Sequence, residues 1–466
     1  MKPIIFILVL FLCFIRVVAQ ELVTYPVPNQ VLYSQHNDDY TVKVRKPGGE
    51  WVDLFEYNVK VDLDKVRDAS MVAFDFSGKV EVYVRKNNGA LNTAVVRPLS
   101  YGIKAQIQGN SILFTLDRPR KLSIEFNGDK LQNLHLFANP LETNRPNEKD
   151  PNVIYFGPGI HTPPDVPGDA FKIPSGKTVY LAAGAIVRGR LVVDHAENVK
   201  ICGRGFIDQA VRGIEVTHSK NVDIDGITVI NPKHYTVYGG QSQHLSIHNL
   251  KSFSCNGWSD GLDLMSCSDV RIDDVFLRTS DDCIAIYGHR WDFWGGVNNI
   301  NISNSVLWAD IAHPTTIGLH GDTNAQGDTI QNIRFSNIDI LEHDEDDPEY
   351  QGCMAICAGD FNLVRNVRYE DIRVEDFEEG QLFHLVISFN KKYNTGAGRG
   401  IEGISFKNIS YSGNAANLSV ISGLDKTHLV RDIIFENVKI NGVLLKDANS
   451  GQLKIGEFVE GIKFLP

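Results

Sequence analysis

The chain is 466 residues long, above the roughly 100–200 residues of one ordinary domain, so two units or a repeat array are expected. Its 43% hydrophobic and 22% charged residues are ordinary globular values and exclude both a disordered chain and a membrane bundle. The net charge of -11 excludes a nucleic-acid or anionic-membrane surface, which would need clustered Lys and Arg, and favours an uncharged partner.

Residues 1–19 carry Lys2, an apolar run from Ile4 to Ile15 and the small-residue site Val17-Val18-Ala19, the pattern of a signal peptide cleaved near Ala19. The apolar run is shorter than the roughly 20 residues that span a bilayer. A secreted or periplasmic protein is expected. Six cysteines follow the leader: Cys202, Cys255, Cys267, Cys283, Cys353 and Cys357. They are too scattered for a metal knuckle, so neither metal nor cofactor is implied, and a disulfide such as Cys255–Cys267 stays open.

From 20 to 142 the apolar runs Val80–Val84, Ser111–Leu116 and Leu122–Phe126 alternate with turn signals at Lys86-Asn87-Asn88-Gly89 and Asn127-Gly128. Short strands between such turns predict a small antiparallel β-sandwich. The polar, proline-containing stretch 141–151 reads as the linker.

From about 150 to 466 a short pattern recurs: Asn, Asp, His or Gly, then two residues, then an apolar one. It begins at Asn198, Asn221, His244, Asp269, Asn299, Asn332, Asn366, Gly403 and Asp432. Each unit alternates apolar and polar positions with the period of two that a half-buried strand requires. A second apolar series lies between the markers: 236–238, 262–264, 284–286, 316–318, 355–357, 385–387 and 419–421. No helical crossover separates these strands, which excludes βαβ units. A leucine-rich repeat would need a tight 20–29 residue period; here successive markers lie from 23 residues apart, Asn198 to Asn221, up to 37 apart, Asn366 to Gly403. Stacked coils with parallel strands remain, the surplus residues leaving as loops on one rim.

Two strands of the second series are entered through acids: Trp258-Ser259-Asp260-Gly261-Leu262-Asp263-Leu264 and Ser280-Asp281-Asp282-Cys283-Ile284-Ala285-Ile286. Aligning Leu-Asp-Leu with Ile-Ala-Ile sets Asp260 level with Asp282 one coil away, about 4.7–4.9 Å apart, with Asp281 beside them. Crowded carboxylates raise one another's pKa, so one stays protonated while others ionise. That asymmetry is what glycosidic cleavage needs. Taken singly, each acidic pair is an ordinary turn signal, and a calcium site is the other use for such a cluster. The next coil brings His313, with His320 at the far end of its strand as a further candidate. Tyr287, Trp291, Phe293 and Trp294 follow the acidic strand and suit either a sugar-stacking wall or core packing.

The segments Trp258-Ser259-Asp260-Gly261, Ser280-Asp281-Asp282-Cys283-Ile284-Ala285-Ile286 and His313-Pro314-Thr315-Thr316-Ile317-Gly318 resemble, in order and spacing, the three active-site motifs of glycoside hydrolase family 28, the polygalacturonases. The resemblance covers roughly 150–440. It implies an all-β fold, a right-handed parallel β-helix, and an inverting mechanism. In it Asp281 is the general acid, Asp260 and Asp282 activate the water, and His313 supports the acid. An inverting pair is expected about 6.5–9.5 Å apart. The sandwich in front is also similar to glycoside hydrolase family 49, the dextranases and isopullulanases, which act on neutral α-glucans.

One departure bears on substrate. Where polygalacturonases carry an Arg-Ile-Lys motif for the substrate carboxylate, this chain has Cys353-Met354-Ala355-Ile356-Cys357. A carboxylate without a charged partner in a desolvated subsite costs several kcal/mol, so polygalacturonate is disfavoured unless Arg290 or Lys391 fills the role. A β-helix lyase or epimerase needs a carboxylate neutraliser and suffers from the same gap. A non-catalytic carbohydrate-binding solenoid gains nothing from stacked like charges. The expectation is a monomeric, secreted hydrolase of a carbohydrate polymer or oligosaccharide, with substrate contacts from His320, Tyr287, Trp291 and Trp294.

Overall fold

The computed structural model describes residues 20–143, 145–164, 169–324 and 326–466; the sequence-predicted signal peptide, 1–19, lies outside them. Among the described residues the strands form four sheets. Two of these, with six and five strands, lie in the N-terminal part and face each other across a core that includes Val42, Phe74, Val82, Phe114 and Ile124. Their pairing is antiparallel except for one parallel pair, Arg67–Ser77 with Asp129–Pro140. The predicted turn at Asn127-Gly128 has both residues at positive φ, 58° and 79°, as a tight two-residue hairpin between right-twisted strands requires.

From Val153 the chain winds as a right-handed parallel β-helix. One sheet carries the markers: Glu197–Gly203, Lys220–Asp225, Gln243–His248, Ser268–Asp273 and their successors pair in parallel, coil upon coil. The other carries the second apolar series, including Val237–Gly240, Leu262–Met265, Ile284–Tyr287, Thr315–Gly318 and Gly352–Ala358.

The nine markers explain themselves. Asn198, Asn221, His244, Asp269, Asn299, Asn332, Asn366, Gly403 and Asp432 all stand at positive φ, between 54° and 67°, where Gly, Asn, Asp and His are tolerated and bulkier residues are strained. Their side chains also bond between coils: the Asn221 amide donates to Asn198 Oδ1 at 3.0 Å and Asn299 to Asp269 Oδ1 at 2.7 Å. The apolar residue three positions on points into the helix. In the last coils this position forms a ring ladder, Phe335, Tyr369, Phe406 and Phe435, with centroids 4.6, 5.3 and 5.1 Å apart, close to the spacing of the strands that carry them.

All six cysteines are free and buried. The bridge left open at Cys255–Cys267 is not formed; Cys267 instead packs in the interior with Leu264 and Val270.

Candidate active site

The register places the acids as their alignment predicts. Leu262 pairs with Ile284 and Asp263 with Ala285, so the entries to the two strands are level. Asp260, Asp281 and Asp282 each present a carboxylate oxygen within 4.8 Å of the others. The nearest-oxygen spacing is therefore tighter than the 6.5–9.5 Å expected for an inverting pair. Asp260 and Asp282 are buried and Asp281 half-buried.

Backbone amides hold the central acid. Trp258 N donates to Asp281 Oδ2 at 2.9 Å and Asp282 N to Asp281 Oδ1 at 3.0 Å. Burial, with the charge of Asp282 next, still pushes the Asp281 carboxyl up to about 7. Burial, then the charges of Asp263 and Asp281, holds Asp260 well above the usual range.

His313 sits on Asp282, not on Asp281. Its Nδ1 donates to Asp282 Oδ1 at 2.6 Å, its backbone N–H to the same oxygen at 3.1 Å, and its Nε2 to Tyr350 O. Burial works against its charge but is outweighed by Asp282 and Glu345, which bring the imidazole up to about 9. Both ring nitrogens thus donate, as an imidazolium requires. His313 thus bonds Asp282 directly and reaches Asp281 through its charge, which pulls the Asp281 carboxyl down.

These side chains line a cleft of about 460 Å³ with Tyr235, Trp258, Tyr287, Arg290 and His320, a volume typical of small-ligand sites. Of the aromatic candidates, Tyr287 lines it, its hydroxyl 3.3 Å from Asp282 Oδ2. His320 lines it edge-on to Tyr287, and burial keeps its imidazole neutral, down to about 3. Trp291 stands at the border, stacked on Tyr235 and Tyr238. Trp294 stacks on His289 with ring centroids 3.5 Å apart and does not line the cleft.

Sequence reasoning missed Asp263 and named Arg290 without placing it. Asp263 is fully buried, its carboxylate against the side chains of Asp260 and Tyr235. Burial raises it to about 7 while the Arg290 charge pulls it down. Its sequence signal was its place on strand Leu262–Met265, three residues after Asp260, at the position facing away from the core. Arg290 lies over the rings of Tyr287 and Trp291 at 4.8 and 4.7 Å, placing one of the two suspected cations in the cleft. Lys391 is exposed and lies outside the cleft lining, which Lys392 enters instead. Ala355 and Cys357, at the positions of the missing motif, are buried and uncharged.

The sequence model of the family "Glycosyl hydrolases family 28" matches residues 171–453. The chain belongs to that family. Among the family's polygalacturonases it is similar to a probable endopolygalacturonase D of Neosartorya fischeri, 23% identical over 260 residues. That match covers 54% of this chain and 48% of the relative, so the chain spans about half the length of the curated relatives it matches. In fold it is similar to Dex49A from Penicillium minioluteum, with a TM-score of 0.65 at 14% identity over 95% of this chain and 96% of the other. It is also similar to the Yersinia enterocolitica family 28 exopolygalacturonase, with a TM-score of 0.51 at 13% identity over 83% and 97% of the two chains.

Proposed function

We propose that this family 28 protein is a secreted, inverting hydrolase of O-glycosidic bonds that prefers a neutral glycan to polygalacturonate. The observation that carries the hydrolase reading is the division of labour among the acids. Asp281, raised to about 7, keeps its proton near neutral pH and gives it to the leaving oxygen. Asp282, ion-paired to His313, takes a proton from the water as it adds to the anomeric carbon, with Asp260 holding that water in place. Nearest-oxygen distance is a lower bound on the separation of whole carboxyl groups, and the product's anomeric configuration decides between single and double displacement.

The preference for a neutral sugar rests on the lining. Asp260, Asp281, Asp282, Glu345, Asp346 and Asp347 face the cleft against Arg290, Lys392 and His313; Lys392 is engaged by Asp347 at 3.5 Å and His313 by Asp282. A polyanion would meet Arg290 alone. The test compares polygalacturonate, the same polymer with its carboxyls reduced to neutral hydroxymethyl groups, and dextran. Faster release of reducing sugar from a neutral polymer, with an inverted anomer by NMR, is the expected result. Efficient cleavage of polygalacturonate overturns the neutral preference and makes Arg290 the carboxylate contact. Replacement D281N lowers the rate about 10²–10⁴-fold, least on substrates with good leaving groups.

A further inference from the structure

A polysaccharide bound by its middle would lie along the outer face of the catalytic sheet and leave in both directions. The outward column there is Tyr238, Asp263, Ala285, Thr316, Ala355 and His384 on successive coils. The column is covered along its whole length, from Tyr238, 9% exposed, to His384, 2% exposed, so what lies over it on each side decides where a chain can run.

Two insertions close that side. One spans 343–351, before strand Gly352–Ala358, and the other 388–399, after strand Gly380–Ile387. They are fastened to each other and to the sheet. Tyr350 packs edge-on against Tyr393 at 5.1 Å, Lys392 pairs with Asp347, and the Asn390 amide donates to Glu349. The Asn394 side-chain amide donates to Leu319 O, and its Oδ1 accepts from Ser388 Oγ at 2.9 Å. On the opposite side the 288–296 segment folds back over the preceding coils. Trp291 lies nearly parallel to Tyr235 and Tyr238, at 19° and 25°. Phe293 presses on Gly240, where a Cβ would meet the ring at 2.3 Å. Between these two walls the mouth is marked by Trp258, 71% exposed.

Resting on the hydrolase reading, we infer that the enzyme acts on chain ends. A terminal sugar enters the cleft between the Arg290–Trp291 wall and the Tyr350–Tyr393 wall, and the rest of the chain leaves over Trp258. One water is consumed, the glycosidic C–O bond breaks, and a short product and a shortened chain result. Each turn leaves the bulk of the polymer intact.

The experiment follows product size and solution viscosity for polygalacturonate, its carboxyl-reduced form and dextran. Chain-end action gives one short product from the first minutes, with viscosity almost unchanged as reducing ends accumulate. A ladder of intermediate oligomers with early viscosity loss overturns the inference while leaving the hydrolase reading intact; no sugar released from any of the three overturns both. The double replacement K392A with Y393A, on exposed side chains, opens one wall. Intermediate oligomers then appear that the parent enzyme does not make, and an unchanged product pattern removes the wall from the explanation.

Discussion

The imidazolium of His313 lies against Asp282 at 2.6 Å, and its charge also pulls the neighbouring Asp281 carboxyl down against burial. An acid that loses a nearby cation gives up its proton less readily. In the proposed mechanism the basic limb of the activity profile is set by loss of the Asp281 proton near pH 7, so H313A moves that limb upward. His313 also contributes stability: its folded pKa of about 9 lies above the unfolded value near 6.5. That contribution is complete below about pH 6.5 and is lost as pH rises through about 9. Activity profiles and thermal melts of both proteins across pH 4–10 check the pair; a basic limb that does not move would mean that the His313 charge does not act on Asp281. The three aspartates and His313 were legible in the sequence because strand period and coil spacing fix register. Asp263 and Arg290 were not. Period two puts Asp263 on a face that is exposed in most sheets but is covered here, and Arg290 lies in a loop with no period to place it.

At the scale of elements, the turn that opens each marker strand depends on a left-handed residue. Asn332, φ 59°, donates to Asn298 Oδ1 at 2.6 Å and accepts from Asn366. N332V combines a β-branched side chain with positive φ and lost ladder bonds, and is expected to cost about 1–3 kcal/mol. N332G loses the same bonds but relieves the backbone, so it costs less. Urea titration of the two variants separates backbone strain from hydrogen bonding, and equal losses would assign everything to the ladder. This is why the helix was readable from one chain: the turn restricts composition at the same point of every coil. Other left-handed corners gave no such signal, since Trp291, Ala312, Leu319 and Phe361 stand there with side chains that do not announce it. The walls of the cleft were invisible for a related reason. A lengthened repeat says that a loop exists, not where it folds.

The sandwich is fastened to the helix close behind the proposed active site, and at the scale of the molecule this predicts a part for it in positioning the acids. Val59, Met71 and Phe137 pack on Phe253, Phe276 and Trp308. Beside this seam Arg278, fully buried, grips Asp310 through Nε at 2.9 Å, reaches Asn133 Oδ1 at 3.0 Å and lies over the Trp308 ring at 4.0 Å. Asp310 in turn accepts the Asp62 amide at 3.2 Å, and the next amide, Leu63, donates to Ser280 Oγ at 3.0 Å. Ser280 immediately precedes Asp281, so a loop of the sandwich braces Asp281 and Asp282 from behind. Replacement R278A leaves Asp310 buried without its partner, a loss of about 3–5 kcal/mol, and loosens the Asp62–Leu63 brace. R334A, which breaks the exposed pair with Glu370, is worth about 0–1 kcal/mol and is the matched control. Denaturant midpoints should drop strongly in the first and hardly in the second. At a temperature where both remain folded, kcat should fall in R278A alone with KM little changed, because the brace sets the position of Asp281 rather than the binding of sugar. A destabilised R278A with full kcat would confine the sandwich to holding the fold together.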